Sequence, residues 1–274
     1  VEAAARYEKT DATNVSTGVE RDFDTVSGAL GLSYTFDQGI RAGLNLSRAE
    51  RAPGAEELFA NGPHLATSQF EIGDPDLNSE TAIGAEAYVN ASLGATQLRV
   101  AVYGNWFDDF IYLQETGAEE DELPVFAFLQ QDADWFGIEA EMTTPIAQAA
   151  GGTLSADLRG SYIRAELDDG SAVPRIPPLS LLGALDWQSD DFDLRGEVEW
   201  FDAQNRVASF EAPTDGFTHV NLSAAWRPLG NQLVTVLVQA DNIFDAEGRR
   251  HSSFTKEFVP LAGRNFKFTV RSRI

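Results

Sequence analysis

A two-residue alternation of apolar and polar side chains recurs along this sequence, and it constrains the fold more than any other feature. Between residues 28 and 36, for example, Leu30, Leu32 and Tyr34 alternate with small or polar residues. Successive side chains of a β-strand point to opposite faces of its sheet, so this period indicates strands rather than amphipathic helices. About twelve such segments occur between Val1 and Ile274. The sequence therefore predicts an all-β, antiparallel protein.

Two kinds of connection alternate between these segments. Short turns are expected near Gln38, Gly94, Gln148, Asp190 and Leu229, and long polar loops near Asn14, Pro63, Glu120, Asp169, Pro213 and Arg250. Short turns at one end and long loops at the other are typical of an up-and-down transmembrane β-barrel. Many segments span the roughly 9–11 residues that a membrane crossing needs, whereas soluble strands centre near about 5–6. Because alternation alone does not separate the two, a soluble β-sandwich binding module remains an alternative.

The charge balance limits the partners of the chain. It carries 43 acidic and 20 basic side chains, for a formal net charge of -23. Nucleic acid is excluded as a partner because its phosphates would be repelled, whereas cations or cationic complexes fit, as does simple solubility. The sequence contains no cysteine, which excludes disulfides and thiolate metal ligands. It also shows no apolar run near the roughly 20 residues of a membrane helix.

The longest interval without sustained alternation is RAPGAEELFANGPHLATSQFEIGDPDLNSE, residues 51–80. Proline removes a backbone donor and glycine relaxes the backbone, so its three prolines and three glycines interrupt regular pairing. Leu58, Phe59 and Phe70 nevertheless give the interval side chains to bury. A long loop without its own secondary structure is usually functional or disordered. We expect a partly packed, functional extracellular loop at about residues 50–79.

Three segments of the sequence resemble TonB-dependent outer-membrane receptors. They are the interval 51–80, the strand QQDADWFGIEAE at 130–141, and the C-terminal part with DNIFD at 241–245, RHSSF at 250–254 and GRNF at 263–266. The first is most similar to the zinc-uptake subgroup. Membership would imply a barrel of about 22 strands around an N-terminal plug, in the outer membrane of a Gram-negative bacterium.

This resemblance implies that residues 1–274 are the C-terminal half of such a barrel, without the plug. Unpaired strand edges are not tolerated in lipid, so the missing strands would come from elsewhere, or the chain would close as a smaller barrel. The implied partners are outer-membrane lipid and lipopolysaccharide, the plug with the remaining strands, and the TonB complex through the plug. The chain departs from the family in ending at Ile274 rather than at an aromatic residue.

Candidate site residues come from the loops and from the polar strand faces. Imidazole and carboxylate ligands suit zinc or copper, so His64 and His251 are candidate metal ligands. The equally simple alternative is that the histidines are exposed polar residues and the carboxylates cap turns. The candidate ligand-binding residues are Glu57, His64, Glu71, Asp74, Asp76, His219 and His251. Lumen- or plug-facing positions are Glu139, Glu141, Arg159, Arg195, Glu197, Glu199 and Arg273.

No catalytic motif occurs in the sequence, which therefore predicts a protein that is not an enzyme. We expect an active-transport receptor whose long loops capture a metal ion or a metal chelate, with energy from the TonB system. Zinc is the leading cargo, and a siderophore or haem-type chelate is the wider class. No intrinsic cofactor is expected. A passive porin or a surface adhesin barrel is the alternative from a different class.

Overall fold

The computed structural model describes residues 1–36, 39–229 and 233–272, and its strands belong to one sheet. Twelve strands lie side by side in chain order, and each pairs antiparallel with its neighbours. They are β1 Glu2–Thr13, β2 Glu20–Phe36, β3 Ile40–Arg51, β6 Glu80–Leu93, β7 Thr96–Glu120, β8 Leu123–Ala149, β9 Gly152–Leu167, β10 Ser180–Gln188, β11 Phe192–Phe201, β12 Phe217–Trp226, β13 Val234–Asp241 and β14 Asn265–Ser272. The predicted all-β, antiparallel, up-and-down architecture is confirmed. The sequence-based predictions that concern Gln38, Arg273 and Ile274 fall outside the described residues.

The two faces of the sheet differ in character, as the alternation predicted. Leu194 and Val198 point outward and are 46% and 45% exposed. The alternate residues of the same strand, Arg195 and Glu197, lie on the opposite face and make ion pairs there. These twelve strands form a single layer, in which β1 and β14 are the outermost strands. A β-sandwich would seal the apolar faces between two layers, so that alternative is wrong.

The hairpin of β7 and β8 is much longer than a membrane crossing requires. These strands contain 25 and 27 residues, against the roughly 9–11 that span a bilayer. They remain paired up to Glu120 and Leu123, and only Asp121 and Glu122 form the turn. Both turn residues have positive φ, 51° and 62°, as two-residue hairpin turns of the primed type require. The long loop expected near Glu120 is therefore the tip of this hairpin.

The interval between β3 and β6 contains more secondary structure than its prolines and glycines predicted. It forms a short helix, α1 (Ala55–Phe59), and a hairpin of β4 (Asn61–His64) and β5 (Gln69–Ile72). Strand β5 pairs in parallel with the extended part of β8, which supplies its missing hydrogen-bonding partner. Leu58 is 1% exposed and packs with Phe23 and Ile111. The interval is thus a docked layer at one end of the sheet.

Within the described ranges, no helix is long and apolar enough to cross a membrane.

Candidate ligand site at the loop end of the sheet

An arginine holds the interval between β3 and β6 against the sheet. Arg51, the last residue of β3, contacts Glu80 of β6 at 3.1 Å and Glu57 of α1 at 2.7 Å. Glu57 also accepts the main-chain N–H of Gly54 at 2.7 Å, which caps the helix. Glu80 accepts the main-chain N–H of Ile111 at 2.8 Å. Arg51 therefore links Glu57, which lies in α1, to Glu80, which lies on β6 and accepts a hydrogen bond from β7. These contacts fix α1 to β6 and β7.

A second charged group joins the remaining loops of the same end, which we call the loop end. Glu211, in the loop between β11 and β12, accepts a hydrogen bond at 3.0 Å from Lys256, in the loop between β13 and β14. The side chains of this pair are 4% and 6% exposed. Glu211 also accepts the main-chain N–H of Arg175 at 3.1 Å, from the loop between β9 and β10. Three loops therefore meet on one buried carboxylate.

The environment of Glu211 keeps its carboxylate ionised. Burial would by itself raise the pKa of Glu211. Contacts with His251 and Lys256 and the N–H of Arg175 outweigh that effect and hold the pKa at about 2. His251 completes the group, with Nε2 at 3.9 Å from Glu211 and Nδ1 at 3.1 Å from Thr214 Oγ1. A carboxylate that is charged and hydrogen-bonded when buried stabilises the loop arrangement, and it loses that role only in acid.

Two neighbouring cavities lie at the loop end. The first, of about 460 Å³, is lined by His64, Glu71 and Tyr112 among others. The second, of about 420 Å³, is lined by Glu211 and Lys256 among others. Arg175 and Phe254 line both cavities. Volumes of this size fall within the roughly 300–1,000 Å³ typical of small-molecule sites.

The structure brings two of the sequence-predicted loop residues together and gives the others structural contacts. His64 Nδ1 lies 3.6 Å from Glu71 Oε1 and 2.8 Å from Thr67 Oγ1, and both His64 and Glu71 line the first cavity. Glu57 is paired with Arg51. Asp74 accepts the main-chain N–H of Asp76 at 2.8 Å, which is the turn-capping role considered as the alternative.

The other two histidines are buried rather than exposed. His219 lies on β12, 9% exposed, and its Nε2 has no hydrogen-bond partner among the described residues. His251 is 2% exposed, and the ammonium of Lys256 lies 3.3 Å from its Nε2. The described part of the chain contains no group of three or more His, Asp or Glu side chains arranged for a metal ion. The assignment of His64 and His251 as metal ligands stays a prediction.

The predicted lumen-facing residues share one face of the sheet. By strand register, Glu141 lies opposite Arg159, and Glu139 opposite Ser161. Glu139, Glu141, Arg159 and Glu199 line a further cavity of about 310 Å³. Arg195 bridges Asp186 and Glu197, each at 2.6 Å, and Asp157 at 3.3 Å. This face is opposite Leu194 and Val198, and a lumen-facing role for it remains a proposal. Arg273 lies outside the described residues.

Sequence reasoning missed Arg175, Glu211 and Lys256. One signal was available for the first, because Arg175 is the only charged residue in 170–185, within the proline-rich segment AVPRIPPL. A single charged residue among apolar residues and prolines indicates a side chain that the backbone holds in one position. No comparable pattern marks Glu211 and Lys256, which are 45 residues apart and meet only because two loops fold onto each other.

Comparison with known proteins shows which family model this chain matches. The family model described as "TonB dependent receptor-like, beta-barrel" matches residues 1–243. That match covers most of the 274 residues.

Solved structures with the same fold include three proteins whose names refer to a metal. The copper transporter OprC is 22% identical with a TM-score of 0.81, over 94% of this chain and 41% of that one. The FrpB iron transporter from Neisseria meningitidis (F3-3 variant) is 14% identical with a TM-score of 0.73, over 98% and 42%. A mutant of the ferric enterobactin receptor PfeA from Pseudomonas aeruginosa is 20% identical with a TM-score of 0.64, over 90% and 40%. The chain therefore spans about two fifths of the length of each structure.

Proposed function

Because this chain belongs to the TonB-dependent receptor β-barrel family, we propose that it is part of a receptor that takes up a metal ion or metal chelate with energy from the TonB system. Proteins of this family reside in the outer membrane of Gram-negative bacteria and are transporters, not enzymes, as the sequence predicted. The family match over residues 1–243 is the observation that carries the proposal. The apolar outer face and the charged opposite face of the sheet support it.

We further propose that strands outside residues 1–274 complete the barrel. The outermost strands β1 and β14 expose their edges, and an open edge in lipid leaves backbone N–H and C=O groups without partners. A plug in the lumen would then contact the charged face that carries Glu139, Glu141 and Arg195. Contact with the TonB complex would pass through that plug. Lipopolysaccharide around the outer leaflet belongs to the same proposal.

The cargo is proposed only as a class. The three similar structures are named for copper, iron and ferric enterobactin. Those names support a metal or a metal chelate, carried as transported cargo rather than as an intrinsic cofactor. Zinc remains a prediction from the wording of residues 51–80. The loop end, with its cavities and fixed loops, is the part of the chain suited to capture such a cargo.

Uptake measurements test this proposal against a passive porin or an adhesin barrel. Cells that produce the receptor containing this chain would be given radioactive zinc, copper or iron, free or chelated, with and without a protonophore. We expect accumulation of at least one of these cargoes that a protonophore abolishes and that deletion of the receptor gene prevents. Accumulation unchanged by the protonophore would indicate a passive channel. Absence of receptor-dependent accumulation for every cargo would reject metal uptake.

A further inference from the structure

Arg175 presents an available guanidinium between the two cavities of the loop end. Its guanidinium carbon lies 4.0 Å from the centroid of the Phe254 ring. Among the described residues, no carboxylate comes within ion-pair distance of this side chain, although Glu211 and Glu71 act on it through space. Its hydrogen bonds to Glu211 come from the main-chain N–H, not from the guanidinium. Within the described ranges the guanidinium donates no hydrogen bond, so its planar fork of donors can receive a ligand.

Glu211 does not depend on the charge of Arg175, because Lys256 pairs with it at 3.0 Å. Glu71 lies 3.6 Å from the imidazole of His64, on the wall of the first cavity. A half-buried guanidinium with unused N–H donors binds a carboxylate well, because two parallel N–H···O bonds match its geometry. This arrangement differs from that of Arg51, whose three guanidinium nitrogens each donate to Glu57 or Glu80.

The loop that carries Arg175 holds it in a fixed and strained position. Its φ is +62°, in the left-handed region that a residue with a Cβ rarely adopts. Val173 and Ile176 on either side are 3% and 7% exposed, and they pack in the core with Ala165. The carboxylate of Glu211 fixes the main-chain N–H. Backbone strain of this kind persists only where the surrounding structure holds the residue in place, and it often marks a functional position. A side chain that is already held in place also loses little conformational entropy when a ligand binds.

The walls of the first cavity are mostly apolar and aromatic. Ile111, Tyr112, Leu113 and Phe128 line it together with Phe254. A site with apolar walls and one directed polar group orients a ligand that has an apolar body and one polar end. The carboxylates Glu56 and Glu71 on the same cavity disfavour a second anionic end and suit a cationic centre. A bare divalent cation, by contrast, would meet the positive charge of Arg175.

We propose that Arg175, stacked on Phe254, binds the carboxylate of a small organic ligand whose apolar body lies against Tyr112 and Phe128. The inference deepens the proposed function, on which it rests, because it assigns the cargo to organic chelates that carry carboxylate groups rather than to bare metal ions. Arg175 is then the residue that selects for the anionic oxygens of the chelator.

The test compares a carboxylate with its neutral counterpart on the detergent-purified receptor that contains this chain. The probes are 4-fluorobenzoate and 4-fluorobenzamide, which share a body and differ in charge, and binding is followed by fluorine NMR line width. We expect 4-fluorobenzoate to bind at least tenfold more tightly than 4-fluorobenzamide. Equal affinities, or no binding of either probe, would overturn the proposal without any variant.

Variants then locate the site. Arg175→Met is expected to weaken 4-fluorobenzoate binding at least tenfold, and Arg175→Lys to weaken it less, since the charge remains but the fork does not. Arg264→Met is the matched control, because Arg264 is exposed at the same end and lines neither cavity. Unchanged binding in Arg175→Met, or equal loss in Arg264→Met, would contradict the assignment. The measurement needs neither metal nor TonB energy, so its failure is distinguishable from a failure of uptake.

Discussion

Replacing Lys256 by methionine would leave Glu211 as a buried charge without its cation. Methionine keeps much of the length and apolar stem of lysine, so the change isolates the ammonium. Glu211 retains the main-chain N–H groups of Arg175 and Ala208 at 3.1 and 3.3 Å. Breaking a buried ion pair by removing one partner costs about 3–5 kcal/mol. Because those N–H groups remain, we expect a value near the lower end, about 3 kcal/mol.

The expected effect is local, because the pair joins loops and not the strands of the sheet. A loss of about 3 kcal/mol in the free energy of opening corresponds to roughly a hundredfold faster hydrogen exchange in loops 202–216 and 242–264. The double variant Glu211→Gln, Lys256→Met removes both charges and should recover most of the protection, since a neutral amide is less costly to bury. Hydrogen exchange followed by mass spectrometry measures all three proteins. Exchange within threefold of the wild type in Lys256→Met, or a double variant as labile as the single one, would refute the reasoning.

Three further perturbations have expected outcomes. The pKa of Glu211, about 2 against an ordinary value of 4.5, is depressed. The stability that the ionised Glu211 gives to the loops is therefore complete above about pH 4.5 and is lost as the pH falls toward 2. Pepsin cleavage of loop 202–216 should rise in that window. Glu211→Gln should remove this dependence of cleavage on pH. Gly73→Ala should release the β4–β5 hairpin and expose it to protease, because an added Cβ would lie 2.6 Å from the main-chain N of Phe59. Gly62→Ala is the control, because the space around Gly62 is open, and it should leave protease sensitivity unchanged. Arg51→Met should increase hydrogen exchange in α1, because Glu57 of that helix loses its link to Glu80 of β6. Since the Arg51 side chain is 44% exposed, the cost should stay below the roughly 3–5 kcal/mol of a fully buried pair. Exchange equal to the wild type would contradict this bridging role of Arg51.

The strands could be predicted from the sequence because each residue of the wall meets one of two environments. Leu194 and Val198 face outward, while Arg195 and Glu197 face the opposite side. Apolar and polar residues therefore alternate along the strand with a period of two. Antiparallel neighbours joined by short turns then follow in chain order. The extended β7–β8 hairpin is visible only in part, because apolar residues continue through Phe110 and Tyr112 but a register shift between Phe107 and Phe110 interrupts the alternation.

The loop end could not be predicted in the same way. Its contacts join residues far apart in sequence, and no periodicity records them. The sequence offers His251 as a candidate metal ligand or as an exposed polar residue, whereas the structure buries it beside Lys256 and Glu211. The sequence predicts a partly packed loop at about residues 50–79, and its regular structure depends on residues outside it. Arg51 of β3 joins Glu57 of α1 to Glu80 of β6, and β5 uses β8 as its partner.

The central claim is that the apolar face of the sheet meets lipid and the charged face does not. The most direct test measures the environment of each face. The sequence has no cysteine, so single nitroxide labels can be placed with Leu194→Cys, Val198→Cys, Glu197→Cys and Glu199→Cys in the bilayer-reconstituted receptor. Electron paramagnetic resonance then compares collisions with oxygen, which concentrates in lipid, and with a water-soluble nickel complex. The account predicts oxygen-dominated labels at 194 and 198 and nickel-accessible or protein-contacting labels at 197 and 199. Nickel-dominated collisions at 194 and 198 would contradict it.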